Sequence, residues 1–255
     1  MRQETAADPV VSVVIPAWGA EAYLEKAVSS VLLQQVPLEI LIIDDCSPDR
    51  TGEAADALSQ AHPGKIRVFH NAADIGVAGT RNVGIRAAKG TYIAFLDADD
   101  WWAEGKLERQ ISLLEETGAV LCGTGRELMR PDGSSTGRTI GMPARVSYRQ
   151  LLNGNVIACS SVVMRADAAK EFEMCRDDLH EDYILWLRVL EKYGDACGID
   201  APLLKTRLSE GGKSRDKRKS AKMTYGVYRY LGLGRLEAAW HFLHYAAAGL
   251  KKYYG

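Results

Sequence analysis

Three carboxylates occur within four residues where an apolar segment ends. Asp97, Asp99 and Asp100 follow the run Tyr92–Leu96, which the sequence predicts to be a buried strand. The acids would then lie at the carboxyl end of that strand, where open α/β sheets bind ligands. Such close acids repel one another unless a cation joins them. Two aspartates one residue apart offer hard oxygen ligands to Mg²⁺ or Mn²⁺, with a substrate phosphate completing the coordination. The alternative is an acidic turn that caps a helix beginning near Glu104.

A second pair of acids follows the predicted strand Leu38–Ile43. Asp44 and Asp45 can accept hydrogen bonds from a base N–H or from ribose hydroxyls. The alternative is an Asx turn in which Asp49 caps the next helix. Because capping requires only one acid, we interpret Asp49 as the cap, and Asp44 and Asp45 as ligand contacts.

The first predicted strand, Val10–Pro16, leads directly into Ala17 and Trp18. An exposed tryptophan at a strand end can stack on a flat nucleobase. The alternative is that Trp18 faces the core.

Two predicted helix starts also carry charged residues. The segment 74–82 combines small residues with Arg81, and it suits a nucleotide phosphate because helix N-termini favour anions and a guanidinium can bind a diphosphate with two hydrogen bonds. Another helix begins at His180-Glu181-Asp182. An acid pair at a helix start is often only complementary to the helix dipole, so Glu181 and Asp182 do not indicate catalysis by themselves.

The elements that must position these residues alternate along the chain. Four strand-helix repeats predict a parallel, doubly wound sheet with its ligand at the strand ends. After Gly118 the pattern changes to shorter strands and one clear helix, which indicates a second lobe built onto the same sheet. The predicted strands are Val10–Pro16, Leu38–Ile43, Ile66–Phe69, Tyr92–Leu96, Ala119–Met129 and Ser160–Arg165, and the predicted helices span about 20–35, 50–61, 76–89, 104–117 and 181–193.

The C-terminal part of the chain is basic. From Lys205 onward twelve Lys or Arg residues stand against three acids, although the whole chain has a net charge of -1. A basic segment on an acidic body indicates contact with phosphate groups of a nucleotide, a lipid surface or nucleic acid. The polar segment 209–219 is predicted to be a mobile loop. The stretch 221–254 is helical in period and is interrupted near Gly232 and Gly234.

Composition limits the class of protein. The chain has 255 residues, 47% hydrophobic and 25% charged, as is typical of a soluble globular protein. It has neither a signal-peptide-like start nor an apolar run of about 18 residues, so we expect a cytoplasmic protein that does not span a membrane. Its five cysteines are widely spaced, which predicts free thiols.

Four motifs, in this order, resemble the family 2 glycosyltransferases with the GT-A fold. They cover nearly all of residues 10–190. The resemblance implies an α/β, Rossmann-like fold with a mostly parallel central sheet, flanking helices and C-terminal helices. It also implies transfer of a sugar from a nucleotide diphosphate to a hydroxyl acceptor, with inversion and with a divalent metal, Mn²⁺ or Mg²⁺. The motifs read VSVVIPAWGAEAYLEKAVSSVL, LEILIIDDCSPDRT, GVAGTRNVGIRAAKGTYIAFLDADD and LHEDYILWLRV.

The resemblance assigns roles residue by residue. Asp182 falls at the catalytic base, and Asp97 and Asp99 form the metal-binding D-x-D. The family usually has Tyr-Asn at Trp18-Gly19, and Gly where this chain has Cys46, which leaves the donor preference open. The residues expected to contact the nucleotide are Pro16, Ala17, Trp18, Asp44, Asp45, Arg81, Asp97, Ala98 and Arg207.

The resemblance also implies a division of the chain. Residues 1–9 form an N-terminal extension, 10–118 the nucleotide-sugar-binding half, and 119–208 the acceptor-binding half of the same domain. Residues 209–220 form a mobile basic loop, and 221–255 an amphipathic helical segment. We expect the loop to close over donor phosphates with Arg207, Lys213 and Arg215, and acceptor specificity to depend on the region around Asn153, Asn155, Ser160 and Ser161.

The expected partners are a nucleotide-diphosphate sugar, most often a uridine one in this family, and a glycan or lipid-linked acceptor of the cell envelope. The C-terminal segment, with Trp240, Phe242 and Tyr245, is predicted either to contact the inner face of an anionic membrane or to pack on the domain or in a dimer. No nucleic acid is expected, because the basic residues are not interleaved with aromatics in a known module. The alternatives are a nucleotidyltransferase and a non-catalytic module that binds nucleotide sugars or glycans.

Overall fold

A single sheet passes through both halves of the chain, and its first four strands are parallel. The computed structural model describes residues 9–208 and 217–254, so most of the predicted N-terminal extension and basic loop lies outside the described residues. These strands are parallel, as the repeats predict, and their order in the sheet is β3-β2-β1-β4. They are β1 (Val11–Ala17), β2 (Leu38–Asp44), β3 (Ile66–His70) and β4 (Tyr92–Phe95), and they alternate with α1 (Leu24–Leu32), α2 (Thr51–Ala61) and α3 (Gly76–Ala87).

The second half continues the same sheet with mixed strand directions. The sheet extends from β4 through β9, β6 and β10 to β5, with β9 antiparallel to both neighbours and β10 parallel to β6. These elements are β5 (Trp101–Trp102), α4 (Lys106–Thr117), β6 (Leu121–Met129), β7 (Ser135–Ile140), β8 (Arg145–Val146), α5 (Tyr148–Leu152), β9 (Val163–Arg165), α6 (Ala166–Glu171), α7 (Glu181–Tyr193), β10 (Ala196–Arg207), α8 (Lys217–Tyr230) and α9 (Arg235–Tyr254).

The structure differs from the predicted elements in boundaries and by an additional strand. The strand predicted at Ser160–Arg165 is only β9, because a 3₁₀ turn at Cys159–Ser161 precedes it. The helix predicted from about Glu104 begins at Lys106, after Gly105 at a φ of 73°. Strand β10 was not predicted, because its buried and exposed residues follow no regular alternation.

The core lies on both faces of the sheet. On one face α1 buries Leu24, Ala27, Val28 and Val31, the spacing expected of a helix with one apolar side. On the other face α3, α6 and α7 cover the sheet, and Trp186 of α7 lies 5.8 Å from Phe95 between ring centroids. The sheet therefore fixes the strand ends against helices from both halves of the chain.

The C-terminal helices pack on α7 and α5. The ring of Tyr183 lies 6.4 Å from Tyr228 and 6.1 Å from Tyr245, and the Tyr228 hydroxyl donates to the Leu152 carbonyl at 2.6 Å. Gly232, at a φ of 88°, separates α8 from α9 at the predicted interruption. No helix within the described ranges is long and apolar enough to cross a membrane.

Candidate functional site

The register of the parallel strands brings the predicted site residues to one edge of the sheet. Ala17 lies opposite Asp44 in the β1–β2 pair, and Val14 lies opposite Phe95 in the β1–β4 pair. The residues after β1, β2 and β4 therefore leave the sheet side by side. This is the edge at which α/β sheets bind nucleotides.

Trp18 is exposed to solvent at this edge. Its exposed fraction is 59%, so the core-facing alternative is wrong and an indole face is available for stacking. Pro16 is half-buried and Ala17 is buried beneath it. Gly19 follows at a φ of 60°, and its N–H donates to the Ser47 hydroxyl at 3.3 Å, which joins the ends of the first two strands.

Asp45 directly follows β2, is buried and accepts hydrogen bonds. Its Oδ1 accepts from Asn71 Nδ2 at 2.8 Å and from the Ile75 N–H at 3.0 Å. Burial raises the pKa of Asp45, but these hydrogen bonds outweigh burial and hold the pKa below its ordinary value. Asp45 is therefore a fixed anion beside Trp18.

Asp44 supports the neighbouring loop. Its Oδ1 accepts from the Ser47 N–H at 3.2 Å, and its Oδ2 lies 3.1 Å from His70 Nδ1. Asp49 accepts from the Thr51 N–H at 3.1 Å, as in an Asx turn, but the N-cap of α2 is Arg50 without a side-chain hydrogen bond, so the prediction that Asp49 caps α2 is wrong. Both Asp44 oxygens thus have partners in the protein, and its predicted ligand contact stays a prediction.

The acids after β4 form a crowded loop. Asp97 and Asp99 are half-exposed, Ala98 is buried, and Asp100 is buried with its Oδ1 accepting the Arg207 N–H at 2.9 Å. Burial and the charge of Asp97 raise the pKa of Asp99 to about 6. None of the acids caps α4, whose N-cap is Gly105 without a side-chain hydrogen bond, so the helix-capping alternative is wrong.

This loop fits a divalent cation. A cation joining Asp97 and Asp99 would remove the repulsion that raises the pKa of Asp99. Within the described parts of the chain no group of three or more His, Cys, Asp or Glu side chains could hold a metal ion. The protein would therefore supply two carboxylates, and substrate phosphates would supply the other ligands.

Arg81 connects the acidic loop to α7. Its exposed fraction is 4%, and it donates to Asp97 Oδ1 at 2.6 Å and to Glu181 Oε1 at 2.7 Å. Arg81 was predicted to contact the nucleotide, and that contact stays a prediction. The amino end of α3 was expected to receive a phosphate, but the Ala78 N–H there donates to Asp177 Oδ1 at 2.9 Å.

Asp182 is half-buried in the first turn of α7. One carboxylate oxygen accepts the Tyr183 N–H at 2.7 Å. Burial, followed by the charge of Glu181, raises the pKa of Asp182 to about 7, although Arg81 opposes the shift. A carboxylate that titrates near neutral pH can both accept and release a proton under working conditions.

Arg207 ends β10 in a fixed position. Its Nε donates to the Asp99 carbonyl at 3.1 Å, and its guanidinium carbon lies 4.7 Å from the ring centre of Tyr23. Lys213 and Arg215, predicted to close with it, lie outside the described residues. The contacts of Arg207 with Tyr23 and Trp101 were not predicted, because these residues follow no local sequence pattern.

Ser160 and Ser161 lie in the protein interior. Both are buried, the Ser160 hydroxyl accepts the Asp97 N–H at 3.0 Å, and the Ser161 hydroxyl donates to the Ala158 carbonyl at 2.7 Å. The expectation that acceptor specificity depends on the region around Asn153, Asn155, Ser160 and Ser161 stays a prediction. Ser160 also holds the acidic loop in place.

Comparisons with known proteins agree with this geometry. The family model described as glycosyl transferase family 2 matches residues 12–171. The chain is 34% identical over 246 residues to the putative teichuronic acid biosynthesis glycosyltransferase TuaG of Bacillus subtilis, covering 96% of this chain and 97% of that protein. It is 32% identical over 250 residues to the Escherichia coli UDP-Glc:α-D-GlcNAc-diphosphoundecaprenol β-1,3-glucosyltransferase WfgD, covering 96% of each.

Two solved structures share the fold. The mannosyltransferase PcManGT of Pyrobaculum calidifontis, in complex with GDP-Man and Mn²⁺, superposes with a TM-score of 0.70 at 16% identity, covering 97% of this chain and 76% of that one. Residues 1–349 of Staphylococcus aureus TarS, in complex with UDP-GlcNAc, give a TM-score of 0.68 at 15% identity, covering 94% and 72%. At these identities the likeness concerns the fold.

Proposed function

The chain belongs to glycosyl transferase family 2, and on that premise we propose that it is a metal-dependent inverting enzyme. It would move a sugar from a nucleotide diphosphate, uridine diphosphate first among them, to a hydroxyl of a lipid-linked glycan. The observation that carries the proposal is the Arg81 contact, which joins Asp97 of the D-x-D to Glu181, the neighbour of Asp182. The groups required for transfer thus belong to one connected site.

The proposed chemistry follows from these side chains. Asp182 accepts the proton of the acceptor hydroxyl while the oxygen bonds to the anomeric carbon, and the bond from that carbon to the diphosphate oxygen breaks. A divalent metal on Asp97 and Asp99 would neutralise the charge that develops on the departing diphosphate. Attack from the face opposite the diphosphate inverts the anomeric carbon, and no covalent enzyme intermediate is required.

The proposed nucleoside pocket lies at the ends of β1 and β2. Trp18 would stack on the base, beside Pro16 and Ala17, and Asp45 would accept hydrogen bonds from the base or ribose. The support for this pocket is the exposure of Trp18 and the fixed anion at Asp45. Asp44, Arg81, Ala98 and Arg207 complete the proposed nucleotide surroundings.

The proposed acceptor is a lipid-linked glycan. Its support is the likeness to WfgD, whose name states an acceptor joined to undecaprenol through a diphosphate. The exposed apolar residues Leu236, Trp240 and Leu243 on α9 would allow contact with an anionic membrane surface. Phe242 packs instead on Tyr225, with ring centroids 6.2 Å apart, so the two sides of α9 would have different roles.

A donor screen tests the proposal. We expect one class among UDP-, GDP-, dTDP- and CMP-sugars to raise the melting temperature in the presence of Mn²⁺, and Asp99→Ala to abolish that rise. Asp178→Ala, which removes an exposed carboxylate paired with Arg176, is the matched control and should keep the rise. Equal shifts with and without Mn²⁺, or a full shift in Asp99→Ala, would contradict the metal role.

Sugar transfer to a lipid-linked acceptor separates the proposal from its alternatives. A nucleotidyltransferase would release inorganic pyrophosphate and leave Asp182 without a role. A binding module would bind the donor and produce neither nucleoside diphosphate nor extended glycolipid.

A further inference from the structure

Two cations share one aromatic ring at the rim of the acidic loop. Lys26 Nζ lies 3.4 Å from the ring centroid of Trp101, and the Arg207 guanidinium carbon lies 5.1 Å from the same ring. Lys26 extends from α1, Trp101 follows Asp100 directly, and Arg207 ends β10. Three elements distant in sequence therefore converge beside the proposed D-x-D.

The backbone around the pair fixes Arg207 and brings the β6–β7 hairpin close to both cations. The guanidinium of Arg207 donates to the carbonyls of Asp99 and Pro131. Gly133, at the tip of the β6–β7 hairpin, has a φ of 83°, and a Cβ built there would lie 3.3 Å from Lys26 Nζ and 3.5 Å from Arg207 Nη1. The hairpin therefore approaches both cations with backbone alone.

The acidic loop lies close to the pair, since Asp100 accepts the Arg207 backbone N–H and the charge of Arg207 opposes the rise in the pKa of Asp99. Among the residues described, no carboxylate lies within ion-pair distance of the Lys26 ammonium or of the Arg207 guanidinium. Burial, followed by the charge of Arg207, lowers the pKa of Lys26, so the two cations repel each other. Cation–π contacts at exposed sites are weak, so the Trp101 ring alone does not balance the two charges. An anion placed between them would relieve the repulsion and bond to both donors.

We propose that Lys26 and Arg207, supported by Trp101, form a phosphate subsite that binds a diphosphate group of a substrate. The inference rests on the proposed function, in which both the nucleotide donor and a lipid-linked acceptor carry a diphosphate. The subsite adds Lys26 and Trp101 to the residues that recognise substrate. The donor and the acceptor are two sources of the same chemistry, and the experiment distinguishes them.

The test uses Lys26→Ala in the full chain, with Lys65→Ala as the matched control. Lys65 is also exposed, but it precedes β3 at the opposite edge of the sheet. Three quantities are measured for each variant. They are the Kd of inorganic pyrophosphate in the presence of a chelator, the Kd of UDP with Mn²⁺, and the KM of a diphosphate-linked acceptor relative to an alkyl glycoside of the same sugar.

We expect Lys26→Ala to weaken pyrophosphate binding about tenfold, as for the loss of one charge-assisted contact. If the donor supplies the diphosphate, the Kd of UDP rises by a similar factor and that of uridine does not. If the acceptor supplies it, the KM of the diphosphate-linked acceptor rises alone, and the alkyl glycoside is used as before.

The proposal is overturned if Lys26→Ala matches Lys65→Ala in all three quantities. It is also overturned if uridine and the alkyl glycoside are affected as strongly as their phosphate-bearing counterparts, since that would indicate a structural role for Lys26. Pyrophosphate binding requires no turnover. Failure of sugar transfer would therefore count against the proposed function without deciding the subsite.

Discussion

The position of Asp182 lowers the stability of the folded protein but suits proton transfer. Its carboxylate is half-buried next to Glu181, and both factors raise its pKa to about 7. An aspartate in water has a pKa near 3.9, so at neutral pH this group is a much stronger base than an ordinary aspartate. The same residue therefore yields one prediction about rate and one about stability.

The pH dependence of transfer should follow the Asp182 carboxylate. A general base must be deprotonated, so we expect kcat/KM to fall about tenfold per pH unit below about 7 and to level off above it. The measurement is a pH-rate profile in the free-enzyme regime. A profile that stays flat down to pH 5.5 would show that Asp182 is not the base.

Asp182→Asn should lower activity and raise stability. Loss of a positioned general base costs typically about 10²–10⁴-fold in rate. Because the folded pKa lies above the unfolded one, ionisation of Asp182 destabilises the fold as pH rises from about 4 to 7. Each pKa unit corresponds to about 1.4 kcal/mol, so the gain in the variant is at most about 4 kcal/mol.

Chemical denaturation of the wild-type protein and of Asp182→Asn at pH 5 and pH 8 measures the gain in the free energy of unfolding. This gain should be larger at pH 8. Asp178→Asn is the control, because its exposed carboxylate is paired with Arg176 and should give no gain. A variant of Asp182 that is less stable than wild type at pH 8 would contradict the prediction.

At the scale of elements, Arg81 of α3 links the loop after β4 to the first turn of α7. Gly84 lets α3 lie close to the sheet, since a Cβ there would be 2.4 Å from Val14 Cγ1. Arg81, one turn earlier on the same helix, then reaches Asp97 and Glu181. One helix thus holds the end of a strand and the start of another helix in a fixed relation.

Arg81→Ala should destabilise the protein far more than Arg86→Ala. The first variant leaves Asp97 and Glu181 without their enclosed cation, a change that typically costs about 3–5 kcal/mol. Arg86 also lies on α3 and pairs with Glu173, but that pair is exposed and contributes about 0–1 kcal/mol. Urea denaturation measures both. Similar small losses would show that the Arg81 pairs do not hold the elements together.

At the scale of the whole molecule, the C-terminal helices turn one side to the domain and the other to solvent. Tyr245 packs on Tyr183 of α7, whereas Trp240 has an exposed fraction of 61%. The two predicted roles of this segment, packing on the domain and contact with a membrane, therefore belong to different sides of α9. The packing side is observed, and the membrane side is a proposal.

Replacing both Trp240 and Leu243 with Ser should weaken binding to vesicles that contain anionic lipid. Burial of two large apolar side chains in the interface is lost, while the fold keeps its inner contacts. Cosedimentation at low and high salt measures the effect. Leu33→Ser, which changes an exposed leucine directly after α1, should bind as wild type does. No vesicle binding by the wild-type protein would refute the membrane role.

The sequence alone determined the elements and the candidate groups of the nucleotide half. The alternation of β-branched runs with helical segments predicted β1 to β4, and the acids after Leu96 predicted the edge of the sheet at which a ligand would bind. These signals are local, because hydrophobic periodicity and strand ends depend on residues that are neighbours in the sequence. The resemblance to family 2 added the proposed role of Asp182 as catalytic base, which composition and spacing did not supply.

Only the tertiary structure decided which groups meet. Arg81 and Glu181 are separated by 100 positions, and Lys26 reaches the same indole as Arg207 although their elements lie at opposite ends of the chain. The antiparallel strand β9 and the unpredicted strand β10 place these groups. Contacts between distant segments depend on the packing of the whole sheet and its helices, and no local pattern encodes that packing.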